Sequence, residues 1–151
     1  MNKNFITVKT FVERVESFSI DFYKKCLLET NQFSTKYVLQ NVIKEHSAHS
    51  QEVVSAAAAF RDEKVNGRHL QDIMQDFIGN HVDSEFELDN LNFVEATHLT
   101  IVLMEYVISI YQKLMAYELS KSSIETLNSI FTLKKEYLKS LTDEYEKLRY
   151  K

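Results

Sequence analysis

The chain has 151 residues, a formal net charge of −4, two glycines, no prolines and one cysteine. That length suits a single domain, residues 1–151, and is enough to bury a core. An acidic balance with no Lys/Arg block argues against nucleic acid as a partner, and the lone Cys26 excludes an internal disulfide.

Few breakers and little turn chemistry predict an all-α chain of long helices without strands. No apolar run approaches the roughly 18 residues needed to cross a bilayer, so no membrane partner is expected. Lys9, Glu13 and Arg14 interrupt any signal-peptide core, and a cytoplasmic location is the expectation.

The first helix is predicted from about Thr7 to Glu29. Val8, Phe11, Val12, Val15, Phe18, Phe22, Tyr23 and Cys26 form its apolar stripe, and Arg14, Ser17, Asp21 and Lys24 its wet side. Glu16 falls about 20° from Tyr23 and about 40° from Val12, inside the apolar arc. A carboxylate there needs a partner, a hydrogen bond or a metal, unless it reaches water at the rim.

Asn31 to Ser34 reads as a turn with Asn31 and Ser34 as candidate caps, and the second helix as about Thr35 to Glu63, ended by Asn66-Gly67. At about 100° per residue, Val38, Leu39, Val42, Ile43, Val53 and Val54 share one face, with His46 and His49 near its middle. Two imidazoles there are either ligands or core histidines satisfied by neighbours. Leu70, Ile73, Met74, Phe77 and Ile78 suggest a short helix closed by Gly79-Asn80, and Asp83 to Asp89 a loop. A connection this long can carry the chain back along the bundle to start a third helix parallel to the second.

The third helix is predicted from about Phe93 to Leu119, with Asn92 as N-cap and Glu95 completing a capping box. The fourth runs from about Ile124 to Tyr150. Lys134 lies in its apolar stripe about 60° from Tyr137, either buried or snorkelling to the rim.

The two halves match at one offset. Residues 16–27 set against 104–115, a shift of 88, and the same shift takes the second helix onto the fourth, with Val42 on Ile130 and Val53 on Leu141. A duplicated helix pair joined by a long crossover implies a pseudo-twofold four-helix bundle. Glu16 then maps to Met104, His46 to Lys134 and His49 to Tyr137, which places the inward polar residues at one level.

These residues resemble the rubrerythrin-like branch of the ferritin-like superfamily. The family carries Glu-x-x-Ala-x-x-Phe-Tyr on its first and third helices and Glu-x-x-His on its second and fourth, and together these hold two irons. Glu16 with Phe22-Tyr23 matches the first motif, Asn90 to Ala96 resembles the entry to the third helix, and Ile110-Tyr111 keeps a motif tail. His49 matches a family histidine. The resemblance implies a ferritin-like four-helix bundle with a long crossover between helices 2 and 3.

His46, Met104, Lys134 and Tyr137 stand where that family has ligands, so a degenerate di-iron site with at most one metal is expected. Glu45, Glu105 and Glu136 sit one or two residues off ligand positions and point elsewhere. Two readings lead. In one, the chain is a non-enzymatic binding or structural protein with no metal, whose buried polar cluster is Glu16, His46, His49, Lys134 and Tyr137, held by hydrogen bonds and an ion pair. In the other, Glu16, His46 and His49 hold one divalent metal, iron or zinc, with redox or hydrolytic chemistry. A third is a purely helical interaction module, and a homodimer is left open.

Overall fold

Four long helices carry the chain: α1 (Val8–Glu29), α2 (Phe33–Ala57), α3 (Phe93–Leu114) and α4 (Lys121–Arg149). The computed structural model describes residues 5–60, 63–66, 72, 75–76, 88–116 and 119–149. The short helix expected around Leu70 to Ile78 falls mostly outside the described residues, as do Gly67, Gly79-Asn80 and Tyr150.

Each helix begins where local chemistry lets it. Thr7 caps α1, its hydroxyl accepting from the Thr10 amide at 3.1 Å. Asn92 caps α3 by accepting from the Glu95 amide at 2.8 Å, and the Glu95 carboxylate accepts from the Asn92 amide at 3.3 Å, the predicted capping box. The expected caps of α2 are not used. Gln32 occupies its N-cap without a side-chain bond, and Thr35 in the first turn faces inward and donates to the Leu91 carbonyl at 2.5 Å.

Two expectations are overturned at the far end of α2. The helix stops at Ala57, short of Glu63, and the chain then forms a strand. Phe5–Thr7 (β1) and Lys64–Asn66 (β2) pair antiparallel, with Ile6 opposite Val65. The reason is burial. Phe60 and Val65 are 9% and 1% exposed, and leaving the helix seats both in the core, which outweighs the helical preference of the alanine run. The Glu63 carbonyl accepts from the Val8 amide at 2.9 Å, tying this segment to the start of α1.

Hydrogen bonds fix the helix directions. The Asn31 amide donates to the Asp89 carbonyl at 3.2 Å, and Gln32 Nε2 donates to the Asn90 carbonyl at 3.3 Å, so α2 and α3 start at one end. At the other end the Glu63 carboxylate accepts from the Ser120 amide at 2.8 Å, the Ser123 hydroxyl at 2.6 Å and the Ser120 hydroxyl. Thus α2 and α3 run parallel, as predicted, and each is antiparallel to its hairpin partner. The hairpins α1–α2 and α3–α4 pack face to face, α2 lying against both α3 and α4.

The third helix differs from expectation in apolarity. By length and composition α3 could cross a membrane, with an 18-residue window of mean hydropathy 1.5, but 56% of that window is buried inside the bundle. Leu99, Leu103, Met104, Val107 and Tyr111 are among its enclosed side chains, while Phe93 at its first turn is 40% exposed. Cys26 is a buried free thiol pushed up to about 12 by burial, which makes it an unreactive core group.

Candidate functional site

Glu16 and Lys134 meet in the middle of the bundle. Glu16 is 2% exposed and Lys134 0%, and Nζ donates to Glu16 Oε1 at 2.5 Å. The apolar stripes of α1 and α4 carry these two side chains inward, and Glu16 also lines a surface pocket between α1 and α2 with Ser17, Ser47 and Ser50. Lys134 is buried and not at the rim. Burial lowers its pKa, and the Glu16 carboxylate pulls it back up.

The carboxylate is further satisfied by two residues the sequence reading did not assign to it. The Ser50 hydroxyl donates to Oε1 at 2.9 Å, and the Tyr111 hydroxyl to Oε2 at 2.6 Å. Ser50 is one turn beyond His46 and faces the same way, a polar residue at a core position that could have signalled its role. Burial, then the neighbouring carboxylate, raises the Tyr111 phenol well above its ordinary range and keeps it a donor. Residues from all four helices thus converge on one group.

The pseudo-symmetry explains Tyr23. It is the counterpart of Tyr111 under the shift of 88, and both are fully buried. The counterpart of Glu16 is Met104, which has no carboxylate to offer, and the Tyr23 hydroxyl instead donates to the Thr100 carbonyl at 3.4 Å.

His46 and His49 lie beside the ion pair but are held differently from expectation. They take part in ring packing, not in a hydrogen-bonded network. His46 sits edge-on to Tyr23 at 5.1 Å and to Tyr137 at 5.5 Å, and His49 stacks on Tyr137 at 4.4 Å between centroids. Both His46 nitrogens, His49 Nε2 and the Tyr137 hydroxyl are buried without a hydrogen-bond partner. Burial, then Lys134, lowers His46 to about 2. Burial and Lys134 likewise lower His49 to about 4, against a small opposing pull from Glu16. Both imidazoles are neutral at physiological pH.

A pair of divalent ions does not fit this arrangement. It needs several anionic ligands, whereas one carboxylate is present and an ammonium already occupies it. Among the described residues no three His, Cys, Asp or Glu side chains are gathered as a metal would require, so Glu16, His46 and His49 are neighbours without forming a ligand set. Glu45, Glu105 and Glu136 are exposed. No family model, curated protein or solved structure matches the chain.

Proposed function

We propose that the protein is a ferritin-like bundle, related to the rubrerythrin branch, in which an internal ion pair has replaced the metal centre and which acts as a non-enzymatic binding or structural protein. The observation that carries this reading is the Lys134 ammonium on the Glu16 carboxylate, completed by Ser50 and Tyr111. A fixed cation there supplies the positive charge that a metal would otherwise bring. The second reading, one iron or zinc on Glu16, His46 and His49, is favoured by the three unpartnered imidazole nitrogens.

Elemental analysis separates the two. The protein is purified without chelator and without a histidine tag, then loaded anaerobically with ferrous iron. Well below one equivalent of iron or zinc is expected. One tightly held equivalent lost in His49→Ala would favour the second reading, and two would overturn the alignment of ligand positions.

A further inference from the structure

Among the described residues, the three most exposed large apolar side chains share one corner of the bundle. Leu28, in the last turn of α1, is 86% exposed, and Phe33 and Tyr37, in the first turns of α2, are 88% and 65% exposed. Only Thr30 to Gln32 separate the two helices, so all three stand at the α1–α2 tip. Phe33 and Tyr37 lie within about 40° of each other, on the side of α2 away from the buried Thr35 and Leu39. Leu28 likewise points away from the buried Cys26, about 160° around α1.

Lysines flank these side chains. Lys24 and Lys25 precede Leu28 by four and three residues, and Lys36 and Lys44 share the outer face of α2 with Phe33 and Tyr37. All four lysines are exposed, and among the described residues none makes an ion pair. Glu29 is the one carboxylate from Phe22 to Lys44. That stretch, with four lysines against one glutamate, carries +3 in a chain of net −4.

An apolar tip flanked by positive charge narrows the choice of partner. Side chains this exposed project outward and line no groove, so a peptide helix would find no walls to lie between. A second copy docking by the same face would set lysines against lysines. A soft, flat, anionic surface accepts both features, because apolar side chains enter its interfacial layer while ammonium groups meet its headgroups. Tyr37 suits that layer, with an apolar ring and a hydroxyl that stays wet.

We propose that the α1–α2 tip docks the protein on an anionic lipid surface, with Leu28, Phe33 and Tyr37 entering the headgroup layer and the flanking lysines over its anionic groups. Such contact lies on one leaflet and needs no membrane-spanning segment. It uses none of the residues around the Glu16–Lys134 pair and stands independently of the reading given to them.

The test is flotation of the full chain with vesicles of phosphatidylcholine, alone or mixed with phosphatidylserine. Binding to the mixed vesicles is expected, at least about tenfold weaker on phosphatidylcholine alone and at raised salt. Leu28→Ser with Phe33→Ser and Tyr37→Ser should weaken it at least about tenfold through lost apolar contact. Lys24→Gln with Lys36→Gln should weaken it about tenfold through lost charge. Phe5→Ser, or Lys113→Gln with Lys121→Gln, all at the opposite end, should leave it within about twofold. Thermal melting checks that each variant is folded. No binding to the mixed vesicles, equal weakening by the far-end substitutions, or binding that ignores the tip substitutions would overturn the proposal. So would a lipid-free dimer, seen by sedimentation, that the tip substitutions dissociate, since a second copy would then cover the patch.

Discussion

At the residue scale, the energetics centre on Glu16 and Lys134. Two charges taken out of water gain little net stability by meeting, but removing one strands the other at a cost on the order of 3–5 kcal/mol. Glu16→Gln is therefore expected to destabilise the fold strongly, and Glu16→Gln with Lys134→Met to recover much of the loss. Denaturant unfolding of the wild type, both single variants and the double variant, with and without chelator, measures the coupling. Additive losses in chelator would refute the pairing, and a chelator-sensitive wild type would favour a bound metal.

The histidines add a pH dependence of definite sign. An unfolded histidine takes up its proton near 6.5, whereas folded His49 resists until about 4 and folded His46 until about 2. Between those values the unfolded chain binds more protons. The stability these residues allow is present above pH 6.5 and is lost as the pH falls toward 4. Two such groups predict a loss of up to about 4 kcal/mol between pH 6.5 and 5, at about 1.4 kcal/mol per group per pH unit. Melting temperatures across that range should fall on acidification, and less steeply in His49→Gln. A flat profile would show that the imidazoles already carry protons or partners in the native state.

At the element scale, the helix starts are local and the helix ends are not. The Asn92–Glu95 capping box satisfies backbone donors that α3 would otherwise leave bare. Asn92→Ala should cost about 1 kcal/mol in urea unfolding, while Ser34→Ala at the start of α2, where no side-chain cap is made, should cost a few tenths at most. Comparable losses at both positions would mean that Ser34 caps in solution. The α2 terminus answers to tertiary demand instead. Ala56 to Ala59 would extend a helix, yet Phe60 and Val65 gain more by packing, and the extended segment that seats them is close enough to pair with β1.

At the scale of the whole molecule, α2 and α3 run parallel and the ion pair lies where the two hairpins meet. The backbone bond from Asn31 to Asp89 at one end makes this direction testable. In a Cys26→Ser background, Asn31→Cys with Asp89→Cys should oxidise readily to an intramolecular disulfide, because paired backbones fall within the reach of that bond. An up-down-up-down order would hold those positions at opposite ends, and failure to cross-link with the fold intact would reject the parallel arrangement. Tyr111 and Tyr23 show the same twofold relation at work. One finds a carboxylate on the opposite hairpin, and the other, whose half has Met104 at the position matching Glu16, donates to a backbone carbonyl.

The sequence alone pointed to four long helices, to most of their buried faces, to the parallel α2 and α3 and to Glu16, His46, His49, Lys134 and Tyr137 lying on apolar faces, with the rim left open for Glu16 and Lys134. These follow from a periodicity of 3.6, from the near absence of breakers and from an offset that repeats through both halves. Only the tertiary structure decided which polar groups meet. Ser50 and Tyr111 join Glu16 because helices distant in sequence set their side chains within 3 Å, a distance that periodicity does not encode. It also decided that the imidazoles pack as rings, that α2 ends early and that β1 pairs with β2. Each is a competition between local preference and burial, and burial is settled only when all four helices are in place.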